Sequence, residues 1–239
     1  MKPRNRIFLD KKIGTDQIIV IKEKQAHYLI NVLRCKVNEN VLVFNEYEWN
    51  SEIISINSKT LELRILEKTK DTTDKKALKI YFSPLKRNSN ELLIQKCTEI
   101  GINNFQPLIM EHTNISKINT DRFRLIAIEA VEQSEQLIIP KINQAITFKK
   151  FIEQIHDDEL VIACTVRCKK IFINHIVREN INKNISILIG PEGDFSKLEL
   201  NEIKTHKNIV EASLGNSILK GETAAIVASA LVKESYNLC

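Results

Sequence analysis

Ile185-Ser186-Ile187-Leu188-Ile189-Gly190-Pro191-Glu192-Gly193-Asp194-Phe195-Ser196 decides the fold, together with the residues that follow it to Ala230. Ile185, Ile187, Leu188 and Ile189 form the apolar run of a buried strand, and Gly190 to Phe195 read as a turn. Ser196-Lys197-Leu198-Glu199 has the form of a capping box. In it the serine oxygen takes an orphan backbone N–H and the glutamate reaches back to the cap, so a helix opens at Ser196. A short strand to Leu214, a second glycine turn at Gly215-Asn216 and a last helix led in by Lys220-Gly221-Glu222-Thr223-Ala224-Ala225 complete the stretch. Ala224, Ala225, Ala228 and Ala230 let another backbone come close, and Ile226, Val227, Ala230 and Leu231 recur at helical spacing. Two strand ends thus each deliver a glycine-rich turn close to a helix N-terminus, which in an open α/β sheet is where a ligand sits. The backbone groups left uncovered there can hold a planar heterocycle without side chains.

Working outward, the α/β pattern extends back to Ala77. Leu78 to Phe82, Phe105 to Met110 and Leu160 to Cys164 read as strands, and Asn90 to Ile100, stopped by Gly101, as an amphipathic helix. Helices are expected over Thr120–Leu137 and Lys169–Arg178. Strands spaced by helices of this length imply a mostly parallel sheet covered on both faces. The polar run Glu67 to Lys76 has no apolar residue and marks a boundary near Asp74, which divides the chain into domains of residues 1–74 and 75–239. Before it, Ile18 to Ile21, Val41 to Phe44, Trp49 to Ile56 and the alternating Leu61, Leu63 and Ile65 read as short strands around one helix, Gln25 to Leu33. That pattern suggests a small β-barrel.

Bulk properties bound the function. Hydrophobic residues make up 43% and charged residues 27%, enough for a folded core. No apolar run approaches the roughly 20 residues that span a bilayer. The basic Met1-Lys2-Pro3-Arg4-Asn5-Arg6 lacks the apolar segment of a signal peptide, so a cytoplasmic location is expected. The cysteines, Cys35, Cys97, Cys164, Cys168 and Cys239, include no C-x-x-C pair, and the five histidines form no ligand cluster. Free thiols and no metal are therefore expected. The net charge of +5 permits a polyanionic partner without demanding one. The arm from Met1 to Lys12 concentrates Lys2, Arg4, Arg6, Lys11 and Lys12 and reads equally well as a phosphate-neutralising arm or a solvated terminus.

Leu188-Ile189-Gly190-Pro191-Glu192-Gly193, followed by Ser213-Leu214-Gly215 and Leu219-Lys220-Gly221-Glu222-Thr223-Ala224, resembles the C-terminal signature of the SPOUT methyltransferases. Within them it is most similar to the family that methylates N3 of a uridine in small-subunit ribosomal RNA. Three motifs in order and spacing carry the match, where a lone G-P-E-G would be weak. Earlier stretches are similar as well: His27 to Arg34, Gln95 to Gly101 and Glu129 to Ser134. The resemblance implies a small N-terminal PUA-like β-barrel plus a C-terminal α/β domain with a trefoil knot, a feature that general folding rules argue against. It also implies S-adenosyl-L-methionine as cofactor, 16S ribosomal RNA or the small ribosomal subunit as partner, and a homodimer with each cofactor site close to the partner copy.

Carried onto this sequence, the cofactor-binding residues are Leu188, Ile189, Gly190, Pro191, Glu192, Gly193, Ser213, Leu214, Gly215, Ile218, Leu219, Glu222, Thr223 and Ala224. Methylation at N3 removes a proton and leaves an imide-like anion to stabilise, which calls for a proton acceptor and a nearby cation. Glu222 or Thr223 is expected to handle orientation and the proton, with Lys220, Arg6 or Arg34 as the catalytic cation. Arg4, Arg6, Arg34, Lys86 and Lys96 are expected to contact RNA. The chain departs from the family pattern at Asp194, where glycine is frequent, and at Glu135-Gln136 in place of Gly-Arg. It departs again at Ser217, Lys220 and Gly221, in place of Arg, Arg and Thr, and Lys220 lacks arginine's planar fork. Two competing readings are a phosphate-binding turn and a non-catalytic RNA-binding protein. The first lacks a G-x-x-x-x-G-K-[ST] motif and puts Glu192 where phosphate would be repelled. The second leaves the retained glycine turns without a purpose.

Overall fold

A computed structural model describes residues 5–71, 77–114, 118–166 and 172–237. The chain forms two compact units, one of residues 1–75 with 131–138, the other of 76–130 with 139–239.

The first unit contains β1 (Arg6–Phe8), β2 (Ile18–Lys22), α1 (Glu23–His27), a π-helical turn over Tyr28–Val32, β3 (Asn40–Phe44), β4 (Tyr47–Ile56) and β5 (Thr60–Asp71). Its sheet runs β1-β3-β4-β5-β2, antiparallel except where β1 lies parallel to β3. Leu61, Leu63 and Ile65 turn inward in alternation and meet Ile19, Ile21, Val41, Val43 and Ile53, with Ala26 and Leu29 packed into the same core. Register shifts in the β4–β5 pair, at Glu48/Trp49, Asn50/Ser51 and Ile53/Ser55, add local twist to the sheet.

The helix expected over Gln25–Leu33 is a single helix only to His27. Beyond it the Leu33 N–H reaches the Tyr28 carbonyl at 2.9 Å, one residue further back than an α-helix allows. The wider turn buries both Leu29 and Cys35, and Arg34 leaves it at φ 54°. The strand β1 was not expected from the sequence, because three residues carry no periodicity.

Arg6 on β1 is buried. Its Nε donates to Glu48 Oε2 at 2.7 Å, its Nη1 to the Val131 carbonyl at 2.8 Å, and its Nη2 to the Gln136 carbonyl. The guanidinium lies 3.7 Å from the centroid of the Phe44 ring. Beside it the Phe8 N–H donates to Glu132 Oε1 at 2.8 Å, so segment 131–138 is tied to β1 by polar contacts. This corrects the sequence reading of Arg6 as a catalytic and RNA-contacting residue: its charge and donors are spent inside the unit. Arg4 lies outside the described residues.

The second unit continues with β6 (Lys79–Phe82), α2 (Arg87–Ile100), β7 (Asn104–Ile109), α3 (Thr120–Gln133), β8 (Lys141–Ile142), β9 (Ile146–Thr147) and α4 (Phe148–Glu153). It ends with β10 (Glu159–Cys164), α5 (Ile173–Glu179), β11 (Asn184–Ile189), α6 (Lys197–Thr205), β12 (Ile209–Ala212) and α7 (Gly221–Asn237). Its sheet runs β12-β10-β11-β6-β7-β8, with β9 also on β7, and among the described residues its strands pair in parallel. Side chains alternate across it with period two. Ile80, Phe82, Ile162, Ile185, Ile187 and Ile189 face α2, α3, α5 and α7. Tyr81, Val161, Ala163 and Leu188 face Phe148 and Phe151 of α4 and Ile203 of α6. Helix α7 packs on α2 and α5, with Ala225 and Ala228 fully buried.

Several boundaries differ, among them β5, which runs to Asp71 through half of the polar run expected as linker, and α2, which starts at Arg87 rather than Asn90. Helix α3 stops at Gln133 rather than Leu137, since Glu135 takes φ 56°. Strand β12 ends at Ala212 rather than Leu214, where the turn towards Gly215 begins. Helix α5 starts at Ile173, and the part expected before Phe172 falls on residues 167–171, outside the described set.

Removing Arg6 leaves Glu48 buried without its partner, which costs about 3–5 kcal/mol in comparable buried pairs. Urea unfolding of Arg6→Ala is expected to show a loss of that order, and a joint Arg6→Met, Glu48→Leu replacement is expected to recover much of it. Equal stability of Arg6→Ala and wild type would mean that the buried pair anchors nothing.

Candidate active site

The parallel strands of the second unit end along one edge, and the connections leaving β10, β11 and β12 run beside one another there. From β6 the chain steps to β7 on one side, whereas β10, β11 and β12 lie on the other. That reversal of strand order leaves a crevice at the carboxyl ends. The crevice is a cleft of about 480 Å³ lined by the turn after β11, by Ile218 to Glu222 and Ala224 before and within α7, and by Lys86 and Ser89 at the start of α2. A smaller hollow adjoins it, lined by Cys164 at the end of β10, by Thr165 and Val166 after it, and by Ser213, Leu214, Gly215 and Ser217 after β12.

The turn after β11 owes its shape to close packing. A Cβ on Gly190 would lie 2.6 Å from Cε2 of Phe195, whose ring is buried in the core below, so only glycine fits without moving that ring. The Asp194 N–H closes the turn on the Pro191 carbonyl at 3.0 Å, and Asp194 itself sits at φ 63°. Asp194 Oδ1 accepts the Phe195 N–H at 2.9 Å, which lets a residue other than glycine hold that conformation. The expected capping box is present: Ser196 Oγ accepts the Glu199 N–H and Glu199 Oε2 accepts the Ser196 N–H. At the start of α7 a Cβ on Gly221 would meet Leu85 Cδ2 at 2.9 Å. Leu85 occupies the space a threonine would need, which accounts for glycine at that departure from the family pattern.

Of the residues expected to bind cofactor, Ile189, Gly190, Pro191, Glu192, Ser213, Leu214, Gly215, Ile218, Leu219, Glu222 and Ala224 line the cleft or the hollow. Leu188 lies beneath them, fully buried in the core. Gly193 backs onto His112, and Thr223 is exposed and lines neither. Among the expected cations, Lys220 and Lys86 line the cleft. Lys96 instead pairs with Glu99 at 2.9 Å on α2, and Arg34 is an exposed residue of the first unit. Glu192, Asp194 and Glu222 bring carboxylates to the same walls. Among the described residues no cluster could hold a metal ion.

Several lining residues escaped the sequence reading. Thr165 and Val166 follow β10, whose place beside β11 no local pattern reveals. His112, read in the sequence only as one of five histidines without a cluster, stands against the turn after β11. Its Nδ1 stands 2.8 Å from the Asp194 carbonyl, which raises its pKa above the usual histidine value, while partial desolvation opposes the shift.

Residues 72–233 match the family model described as RNA methyltransferase domain, and residues 21–66 match that described as RNA methyltransferase PUA domain. The ribosomal RNA small subunit methyltransferase E of Rickettsia conorii is 32% identical over 232 residues, which cover 96% of this chain and 95% of the relative. Its counterpart in Bacillus subtilis is 26% identical over 233 residues, covering 91% and 90%. The crystal structure of a ribosomal RNA small subunit methyltransferase E from Neisseria gonorrhoeae bound to S-adenosyl methionine has the same fold. Its TM-score is 0.84 at 24% identity, with 95% of each chain covered.

If the Phe195 ring sets the turn, Gly190→Ala is expected to cost about 1–3 kcal/mol by overpacking. In a Phe195→Ala background the same change is expected to cost far less, so a double-mutant cycle by urea unfolding reads the contact directly. Additive effects would show that the ring does not exclude a side chain at residue 190.

Proposed function

The chain belongs to the ribosomal RNA small subunit methyltransferase E family, and from that membership we propose that it methylates N3 of a specific uridine in 16S ribosomal RNA, using S-adenosyl-L-methionine. One observation carries the site: three separate sequence motifs converge on one cleft and the hollow that adjoins it at the strand ends.

The residues present fit this cofactor. Ile189, Leu219 and Ala224 offer apolar contact to a flat base, and the uncovered backbone of the turns offers hydrogen bonds to its edges. Glu192, Asp194 and Glu222 make the walls acidic, which suits a sulfonium cation and disfavours a phosphate. When bound, S-adenosylmethionine supplies an electrophilic methyl group and needs no metal.

In this reading the Glu222 carboxylate, half-buried in the cleft, accepts the N3 proton of the uridine. Lys220 and Lys86 hold ammonium groups on the same cleft and offset the charge that develops on the imide oxygens. Lys220 keeps the part expected for it, and Lys86 takes the one expected of Arg6. Holding base and donor in one crevice supplies orientation, which is worth several orders of magnitude in rate. Thr223 is exposed and lines neither the cleft nor the hollow, so this reading gives it no step.

The proposal extends to the assembly. Val166 and Ile218 at the cleft are 51% and 79% exposed, large apolar side chains that a second copy of the chain would cover in a homodimer. The first unit, with Arg34 exposed, serves as the RNA-docking module for the small ribosomal subunit. A trefoil knot in the second unit and a cytoplasmic location belong to the same proposal. No described helix is long and apolar enough to cross a membrane.

Calorimetric titration with S-adenosylmethionine, then methyl transfer to small ribosomal subunits with mass mapping of the product, tests the proposal. Tight binding and a methyl on uridine N3 are expected. Glu222→Gln and Lys220→Met are each expected to lower kcat by about 10²-fold or more with cofactor affinity largely kept. A methyl at another position moves the target. No cofactor binding by folded protein leaves an RNA-binding module and sinks the enzymatic reading.

A further inference from the structure

His112 lies on the connection leaving β7, a segment that none of the cofactor motifs includes. That segment is fastened on both sides of the histidine. On one side, the Glu111 N–H donates to Glu199 Oε1 at 2.9 Å. Glu199 is buried, and its other oxygen holds the Ser196 N–H at 2.9 Å, so one carboxylate spans the β7 connection and the end of the β11 turn. On the other side, Thr113 Oγ1 accepts the Met110 N–H at 2.8 Å and lies 2.9 Å from Ser83 Oγ. Ser83 in turn donates its N–H to the Ile189 carbonyl at 3.0 Å, the last residue of β11. The segment is therefore stitched to both ends of the turn that lines the cleft.

Between those anchors His112 faces the turn itself. Its Cβ would be 3.2 Å from a Cβ on Gly193, and its Nδ1 is 2.8 Å from the Asp194 carbonyl oxygen. A carbonyl can only accept, so Nδ1 carries the hydrogen in either protonation state and the contact persists when the ring is neutral. The acceptor belongs to Asp194, the residue in the turn with φ 63°. Asp194 is thus held at its side chain by the Phe195 N–H and at its carbonyl by His112.

We propose that His112 is a positioning residue for cofactor binding: through its Nδ1–H it fixes the Asp194 peptide, and with it the shape of the Gly190–Phe195 turn, before the cofactor arrives. The inference rests on the proposed S-adenosylmethionine reading. Its physical content is preorganisation, since a turn already held in its binding shape loses less freedom on binding.

The test uses three variants of the full-length protein. Asparagine carries an N–H near the position of Nδ1, glutamine carries one further out, and alanine carries none. Titration with S-adenosylmethionine is expected to show His112→Ala weakened about 3- to 10-fold, the range for one lost hydrogen bond. His112→Gln should resemble the alanine variant, and His112→Asn should return to within about 2-fold of wild type by the same measure. Because the side chain is exposed, the melting temperature should stay nearly constant across all three. Hydrogen exchange without cofactor supplies an independent readout. The Asp194 and Phe195 amides, bonded within the turn, should exchange several-fold faster in His112→Ala and recover in His112→Asn. Unchanged exchange and affinity in His112→Ala, or an asparagine variant as impaired as alanine, overturns the inference. A wild-type protein that fails to bind S-adenosylmethionine counts against the proposed function instead, and the exchange pattern still decides whether His112 orders the turn.

Discussion

The face of Phe195 against Gly190 is the contact from which the second unit's site is built. Where β11 leaves the sheet, the chain must reverse and start α6 within a few residues. It does so by folding an aromatic ring back under the first residue of the turn. The ring belongs to the core on one face of the sheet, so the turn is an extension of close packing and not a free loop. Everything polar in the turn is arranged on that fixed base. The Asp194 N–H meets the Pro191 carbonyl, Ser196 caps α6, and Glu199 ties the cap to the neighbouring connection. A site that binds through backbone groups needs such a base, because main-chain donors cannot adjust by changing rotamer.

The same sheet is fastened at its other edge by a buried carboxylate. Glu159 at the start of β10 accepts Ser186 Oγ of β11 at 2.5 Å and the Tyr81 hydroxyl of β6 at 3.0 Å, with Lys79 also bonded to that hydroxyl. Burial, and then the Glu159 charge, push the Tyr81 phenol far above its ordinary range, so it remains a donor. Three adjacent strands are thereby joined by a satisfied network centred on the first residue of β10, while the turns that leave the carboxyl ends line the cleft. The division of labour follows from strand direction. In a parallel sheet all amino ends share one edge, so polar pinning and binding chemistry can be kept apart.

Much of this was legible in the sequence, for reasons that can be named. The strand–turn–helix run from Ile185 was readable because its apolar run, its glycines and its capping box are all local signals. Gly101 closing α2 at φ 115° is another such signal. What escaped depends on contacts between distant residues. The pairing of β10 with both β11 and β12, which brings Thr165 beside Ser213, has no local trace. The short β1, β8, β9 and α4 fall below the length at which periodicity speaks. Arg6 was misread for a related reason. A basic residue in a basic arm looks solvated until Glu48, more than forty positions away, and two carbonyls of segment 131–138 are seen to take its donors.

The two clearest departures from the family pattern become intelligible through backbone geometry. The resemblance sets glycine where this chain has Asp194 and Glu135, and both residues adopt positive φ, 63° and 56°. Left-handed backbone costs an ordinary residue roughly 1–2 kcal/mol, so glycine is the cheap solution at either place. Aspartate is the better tolerated of the two, because its short carboxylate can bond the next amide, as Asp194 does with Phe195. Glutamate lacks that local option. At Glu135 the stabilising contact comes from elsewhere, with Lys70 donating to its carbonyl at 2.7 Å and Gln136 next to it donating nothing to Arg6 but accepting through its own carbonyl. In both turns a neighbour from a different part of the chain, His112 in one and Lys70 in the other, holds the carbonyl of the strained residue. Giving up glycine thus shifts the burden of shape from the turn's own backbone to a contact across the fold, and a substitution at either neighbour acts on the turn without touching it in sequence.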